Sequence, residues 1–182
     1  SLIKKCLEEL SLPKEQFNYG SVREEISRAK SELIDSATYE KQAMNFFQEN
    51  VAKVYKLYEE KLIKSNAFDF DDLIKIPVEI FRDNPDILEK YQDLWRYIMV
   101  DEYQDTNTSQ YSLIKMLASK YRNLCVVGDD DQSIYSWRQA DFRNFLNFDK
   151  DWPDTKIVVL KESYRLTKSI LSAAQEVIKN NK

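Results

Sequence analysis

The stretch YIMVDEYQDT, residues 97–106, decides the fold: four apolar residues run together and end directly in a polar cluster. Two later stretches repeat this arrangement, LCVV at residues 124–127 and IVVL at residues 157–160. Apolar residues at helical spacing separate the three runs. Continuous apolar strands that alternate with helices are typical of a parallel sheet covered on both faces. The second half of the chain is therefore predicted to have an α/β fold.

The polar residues after each run are predicted to meet at one edge of the sheet, because ligands in open α/β sheets bind outside the carboxyl ends of the strands. The first cluster begins with Asp101 and Glu102. In nucleotide hydrolysis such an aspartate can hold Mg²⁺, and the adjacent glutamate can orient and deprotonate the attacking water. Taken alone, an apolar run that ends in Asp-Glu is more often a turn or a helix cap.

Three residues after the second and third runs extend this interpretation. Gln132 can sense a γ-phosphate or the attacking water. Arg165 can neutralise phosphate charge, and Tyr164 beside it offers a flat face for a base. Together with Asp101 and Glu102, these side chains predict a site for a nucleotide.

An aromatic loop follows the second run. The segment QSIYSWRQA, residues 132–140, places Tyr135 and Trp137 two positions apart, with Arg138 directly after them. Aromatic rings that stack on unpaired bases contribute about 1–3 kcal/mol per base. The alternative is a buried aromatic pair that packs the loop, and the spacing alone leaves both interpretations open.

The first third of the chain contains helical patterns only. Apolar residues between Tyr39 and Leu62 predict one long amphipathic helix, since no Gly or Pro interrupts them. Residues 1–66 are therefore predicted to form an all-helical subdomain, and residues 67–182 the α/β part.

Two acidic groups allow a metal site as an alternative to a structural role. Asp69, Asp71 and Asp72 precede a helical pattern. Asp69 is predicted to cap that helix, while the other two complement its dipole. Residues 129–131 are all aspartate but lack the glycine pattern of a Ca²⁺ loop, which favours a loop cap or an indirect contact with Mg²⁺.

The composition argues mildly against DNA binding. The 27 basic and 31 acidic residues give a net charge of −4, whereas nucleic-acid-binding proteins usually carry a basic surplus. Any contact with DNA is therefore expected from local features. No run of 18 apolar residues predicts a membrane span, and no signal peptide is recognised. Cys6 and Cys125 lie in apolar runs and are predicted to be reduced core residues of a cytoplasmic protein.

The motifs resemble, in order and spacing, those of the UvrD/Rep/PcrA family of superfamily 1 DNA helicases, which move 3′→5′. The matching stretches are FDFDDL at 68–73, DEYQDTN at 101–107, VGDDDQSIYSWR at 127–138 and YR at 164–165. The resemblance covers essentially the whole chain, and several motifs in register make it specific. It implies a partial RecA-like P-loop NTPase sheet: the C-terminal part of the first motor domain, preceded by the helical subdomain inserted into that domain.

The same resemblance implies the ligands and the role of each site residue. The ligands are ATP, Mg²⁺, and single-stranded and duplex DNA. By resemblance, Asp101 holds Mg²⁺ and Glu102 is the general base. Tyr164 stacks on adenine, Arg165 contacts the γ-phosphate, and Gln132 links the γ-phosphate to the DNA site. Tyr135 and Trp137, with Arg138 beside them, contact DNA bases. The parent protein is accordingly expected to couple ATP hydrolysis to single-strand translocation and duplex unwinding in DNA repair or replication.

The sequence departs from the family pattern in three respects. Gln139 stands where the family usually has Gly, and Ser163 where it usually has Asn. The phosphate-binding motif G-x-x-x-x-G-K-[ST] is missing, and neither Gly20 nor Gly128, the two glycines, begins one. This chain alone is therefore expected to be inactive.

The family's topology also predicts the strand order. Residues 97–100 and 124–127 should be direct parallel neighbours, and residues 157–160 should lie beyond a strand that this chain lacks. Unpaired buried backbone is unfavourable, and exposed sheet edges recruit partners. We therefore expect the gap to close, either because residues 157–160 move inward or because a second copy pairs with the exposed edge.

Two other functions remain open from the residues alone. A metal-dependent nuclease could use Asp101, Glu102 and Asp129, although the complete lack of His weakens that interpretation. A non-catalytic DNA-binding or interaction module is the other alternative. DNA cleavage without ATP would favour the first, and ATP-independent, salt-sensitive binding of single strands the second.

Overall fold

The fold is mostly helical, with one small sheet, in a computed structural model that describes residues 1–135 and 139–180. The helices are α1 (Leu2–Glu9), α2 (Tyr19–Ser31), α3 (Ser36–Gln42), α4 (Phe46–Lys64), α5 (Asp72–Asp83), α6 (Pro85–Leu94), α7 (Thr108–Ala118), α8 (Arg143–Leu146), α9 (Phe148–Asp151) and α10 (Lys168–Ile178). The strands are β1 (Ile98–Val100) and β2 (Leu124–Val126), and 3-10 turns span Tyr103–Asp105 and Asp130–Gln132. None of the described helices is both long and apolar enough to cross a membrane.

The main core lies among the helices of residues 1–66. Apart from Lys30, the side chains with no exposed surface there are apolar or aromatic, as expected for the inward faces of amphipathic helices. They are Cys6, Val22, Val51, Val54 and Tyr55. The hydroxyl of Tyr55 donates to the carbonyl of Ile34 at 3.0 Å, which satisfies its only buried polar group.

The single long helix predicted between Tyr39 and Leu62 is wrong, because α3 ends at Gln42 and α4 begins at Phe46. Asn45 separates them, and its side chain accepts from the amide of Gln48 at 2.9 Å. The side chain of Gln48 accepts in turn from the amide of Met44 at 2.9 Å. Asparagine is among the best N-cap residues, so this reciprocal capping starts a new helix without any Gly or Pro.

A buried lysine joins the first helices to α5. Lys30 has no exposed surface, and its ammonium lies 2.7 Å from a carboxylate oxygen of Asp69 and 2.7 Å from one of Asp72. Asp69 also accepts from the amide of Asp72 at 2.9 Å and from the hydroxyl of Tyr58 at 2.9 Å. Asp69 therefore caps the start of α5 as predicted. The lysine occupies the position that the alternative interpretation assigned to a metal ion.

The two strands pair in parallel, as predicted. Ile98 lies opposite Leu124, Met99 opposite Cys125, and Val100 opposite Val126. The pairing continues past the strands, because the amide of Val127 donates to the carbonyl of Val100 at 2.8 Å.

The third strand, by contrast, is not formed. Residues 157–160 have no secondary structure, and their side chains are 69–83% exposed. An apolar run becomes a strand only when a neighbouring backbone and a covering layer are present, and the described residues provide neither. The predicted inward movement toward β2 is therefore wrong, while pairing with a second copy stays a prediction.

The sheet is also not covered on both faces. The paired residues Met99 and Cys125 are exposed, and Met99 keeps 75% of its surface. The flanking strand residues are half-buried. Cys6 is a core residue as predicted, but the prediction for Cys125 is wrong, because none of the described helices covers its side of the sheet.

Candidate functional site

The candidate site begins where β1 ends. Asp101 and Glu102 are both exposed, and Asp101 accepts from the amide of Glu102 at 2.9 Å. Glu102 adopts a left-handed backbone, with φ 51° and ψ 41°. For a residue other than glycine such a conformation costs of order 1–3 kcal/mol, and it recurs at functional sites.

Two buried neighbours hold this strained turn in place. Tyr103 is 1% exposed, its amide donates to the carbonyl of Val127 at 2.9 Å, and its ring packs edge-on against Phe148. Gln104 has no exposed surface. Its side-chain amide donates to Glu102 Oε2 at 2.7 Å, and its Oε1 accepts from the amide of Asp129 at 3.2 Å. The end of β1 is thereby tied to the turn that follows β2.

The turn after β2 carries the second part of the site. Asp129 accepts from the amide of Asp131 at 3.0 Å and from the side chain of Gln132 at 2.5 Å. The carboxylates of residues 129–131 are exposed and lie within 4.8 Å of one another. Because both oxygens of Asp129 accept bonds from its own turn, it acts as the predicted loop cap. The structure therefore brings together Asp101, Glu102 and Gln132, with Gln104 and Asp129 between them.

Sequence reasoning missed Gln104 because burial of a polar residue is a tertiary property. The available signal was its position, two residues after the candidate base within a stretch otherwise assigned to the site edge.

Asp105 adds an unusual carboxyl group beside this cluster. Its Oδ1 is buried and has no hydrogen-bond partner in the described part of the chain. Burial, and then the charge of Glu102, raise the pKa of Asp105. Asp105 and Glu102 are therefore carboxyl groups in different environments, since Glu102 is exposed and accepts a hydrogen bond from Gln104.

The third predicted cluster does not join the others. Tyr164 is 93% exposed, and its hydroxyl donates to Glu162 at 2.8 Å. Arg165 is exposed and forms no ion pair among residues 1–135 and 139–180. Because residues 157–160 do not enter the sheet, neither side chain is held at its edge. The expectation that all three clusters converge is wrong for this one.

The aromatic loop is described only in part. Tyr135 is 36% exposed, whereas Trp137 and Arg138 lie outside the described residues. Gln139, at the position where the family usually has Gly, has a φ of 67°. The backbone thus keeps the left-handed conformation that favours glycine, even though the side chain is larger.

Close relatives match along the whole chain. It is 49% identical over 181 residues to the ATP-dependent DNA helicase PcrA of Bacillus subtilis strain 168, covering 100% of this chain and 24% of that protein. It is 48% identical to the proteins of the same name from Staphylococcus aureus strain Mu50 and from Staphylococcus epidermidis, covering 25% of each. The chain therefore spans about a quarter of the length of these relatives.

The family comparison agrees with these relatives and with the motif order. The UvrD/REP helicase N-terminal domain matches residues 1–153, which include the helical first third, β1, β2 and the turns that carry Glu102 and Gln132. This match covers most of the chain, and the chain belongs to the UvrD/REP helicase N-terminal domain family.

Proposed function

We propose that the chain is part of the ATP-hydrolysing motor of a DNA helicase, namely the C-terminal part of a RecA-like first motor domain (67–182) with its inserted helical subdomain (1–66). The relatives are named ATP-dependent DNA helicases, and they match the chain over its full length. The observation that carries the proposal is the linked pair of turns at the end of the sheet, where Glu102 and Asp129 are hydrogen-bonded to the same buried glutamine.

The chemistry follows from the two residues at the end of β1. Glu102 accepts the proton of the attacking water and orients that water toward the γ-phosphate. Asp101 fits the role of a Mg²⁺ ligand, because its carboxylate is exposed and only Oδ1 is engaged, by the amide of Glu102. When bound, Mg²⁺ supplies charge neutralisation on the phosphates. Gln132 lies on the adjacent turn, where it contacts the γ-phosphate or the water.

Tyr164 and Arg165 take part only when their segment docks beside the sheet. We assign adenine stacking to Tyr164 and a γ-phosphate contact to Arg165 in the full-length protein. Docking would place the apolar residues 157–160 in a sheet, which removes 69–83% exposed side chains from water. The same exposed edge is the surface through which the isolated chain would self-associate.

The DNA contacts are assigned to the aromatic loop. Tyr135, Trp137 and Arg138 combine stacking surfaces with one positive charge, which suits the unpaired bases of a single strand. The net charge of −4 leaves local features as the source of affinity. The full-length protein would move 3′→5′ and unwind duplexes during repair or replication, in the cytoplasm.

The decisive experiment is Glu102→Gln in the full-length protein. Hydrolysis should fall by orders of magnitude, because the amide cannot accept the proton, while nucleotide binding is retained. Steady-state turnover and nucleotide affinity would be measured side by side, with Glu15→Gln as the control at an exposed position far from the sheet. Turnover near that of the wild type in Glu102→Gln would exclude Glu102 as the base.

A further inference from the structure

Gln104 is buried at the centre of the site, and both ends of its side chain are used. It has no exposed surface, donates to Glu102 Oε2 at 2.7 Å and accepts from the amide of Asp129 at 3.2 Å. The partners fix the orientation of its amide, because a carboxylate can only accept and a backbone N–H can only donate. The glutamine amide supplies this donor and this acceptor without carrying a charge. Leaving such a buried group unpaired is unfavourable.

The backbone of Gly128 leaves room for this side chain. A Cβ at Gly128 would lie 2.8 Å from Gln104 Oε1 and 2.7 Å from a ring carbon of Phe145. Both distances are far below van der Waals contact. The close approach of the turn after β2 to Gln104 therefore depends on glycine at this position.

The hydrogen bonds continue to the candidate phosphate-contacting residue. The amide of Asp129 is bonded to Gln104, and the carboxylate of Asp129 is bonded to the side chain of Gln132. An unbroken series of hydrogen bonds thus runs from Glu102 through Gln104 and Asp129 to Gln132. Series of this kind hold their end groups in a fixed relation, and each bond polarises the next.

We propose that Gln104 is a positioning residue for hydrolysis, one that orients the Glu102 carboxylate and ties it to the turn that carries Gln132. This inference rests on the proposed function, because it gives Gln104 a task only if Glu102 is the base. Because Gln104 has no exposed surface, the proposal gives it no contact with the nucleotide. It acts by restricting the Glu102 carboxylate to one orientation through the hydrogen bond that it donates.

The test is Gln104→Met in the full-length protein, which keeps the length of the side chain but removes its donor and its acceptor. kcat should fall about 10- to 100-fold, the range seen when supporting residues of a reacting group are lost. KM for ATP should stay within about twofold, because no contact with the nucleotide is removed.

Gln92→Met is the matched control. Gln92 is also buried, at 6% exposed, and its side chain donates to the carbonyl of Met116 at 2.7 Å and to the hydroxyl of Ser119 at 3.0 Å. The substitution removes a similar number of hydrogen bonds away from the site. It should lower stability but leave kcat close to that of the wild type.

The outcomes separate this inference from the proposed function. If Glu102→Gln turns over normally, the proposed function fails and the role of Gln104 fails with it. If Glu102→Gln is inactive while folded Gln104→Met keeps the wild-type kcat, only the role of Gln104 is overturned. Should Gln104→Met not fold, Gln104→Leu is a second replacement that presents no donor to Glu102 and no acceptor to Asp129. Normal turnover in that folded variant would equally overturn the inference.

A double-mutant cycle provides an independent test of the positioning role of Gln104. Once Glu102→Gln has removed the base, adding Gln104→Met should lower single-turnover hydrolysis little further, because the positioned group is already lost. Full additivity of the two effects would contradict a positioning role.

Discussion

At the scale of single residues, two strained backbone positions lie in segments assigned to function. Six described residues other than glycine have a positive φ, and two of them are Glu102 at 51° and Gln139 at 67°. Glu102 is held by the buried turn that follows it, which places an exposed carboxylate at the end of β1. Gln139 lies near the end of the aromatic loop and is half-buried.

The strain at Gln139 predicts a stabilising substitution. Gln139→Gly should raise the free energy of unfolding by about 0.5–1 kcal/mol. The substitution removes the strain of the left-handed conformation, and this gain is partly offset by the extra conformational entropy that glycine has in the unfolded chain. Urea unfolding would measure it. Gln175→Gly is the control, since Gln175 lies exposed in the middle of α10 and should lose about 1 kcal/mol. A loss of stability in Gln139→Gly would mean that the side chain contributes more than the strain it causes.

At the scale of elements, the junction between α2, α4 and α5 depends on the fully buried Lys30. Replacing it with methionine leaves Asp69 and Asp72 without their counter-charge, which typically costs about 3–5 kcal/mol. The triple variant Lys30→Met/Asp69→Asn/Asp72→Asn should recover much of that loss, because no charge is then left unpaired. Chemical denaturation of the three proteins would show it. Equal stability of the single and triple variants would contradict this account.

The same junction predicts loss of stability in acid. Burial by itself would raise the pKa of Asp69, but the bonds from Lys30, from the amide of Asp72 and from Tyr58 outweigh burial and lower it. A carboxyl with a lowered pKa stabilises the fold above its unfolded-state pKa of about 3.9, and that contribution is lost as pH falls through the folded-state value.

Asp69→Asn should be less stable than the wild type near neutrality, and the difference in unfolding free energy between the two proteins should become smaller toward acid. Unfolding free energies measured between about pH 6 and pH 3 would test this direction. Burial, and to a lesser extent the charge of Asp69, raise the pKa of Asp71, which works in the opposite direction. Comparing Asp71→Asn with Asp69→Asn/Asp71→Asn removes this contribution from the difference. Asp154→Asn, at a position where the side chain is 92% exposed, provides the control variant.

The sequence predicts those elements that depend on interactions between residues close together in the chain. The paired runs at 98–100 and 124–126 and the cap at Asp69 follow from apolar continuity and side-chain chemistry. The amphipathic pattern between Tyr39 and Leu62 does not reveal the break at Asn45, because the break is caused by an N-cap and not by a change in the apolar spacing. Burial of Lys30 and Gln104 could not be predicted, since their partners come from residues 39 to 42 positions away and from another turn.

At the scale of the whole molecule, residues 157–180 pack loosely against the rest of the chain. Residues 157–160 are exposed, and α10 buries none of its residues. A continuous apolar run specifies a strand only when the sheet offers it a neighbour, so pattern alone could not determine this part of the fold. The same arrangement leaves Tyr164 and Arg165 away from the end of β1.

The isolated chain is expected to hydrolyse no ATP. Its sequence contains no glycine-rich loop with the following Lys, so no ring of backbone amides surrounds the β-phosphate. Phosphate release would be assayed with Mg²⁺ and single-stranded DNA, with the full-length protein as the positive control. A Mg²⁺-dependent rate that persists in the purified wild-type chain and disappears in its Glu102→Gln variant would contradict this expectation.

The bare face of the sheet also supplies a chemical reporter. The chain has two cysteines. Cys6 has no exposed surface, and burial raises the pKa of its thiol. Cys125 is exposed to solvent and lies opposite Met99. A thiol reagent should therefore modify one equivalent rapidly in the native chain and the second only after unfolding, and Cys125→Ser should abolish the rapid phase. In the full-length protein, the alkylation rate at Cys125 then measures directly how completely another layer covers that face.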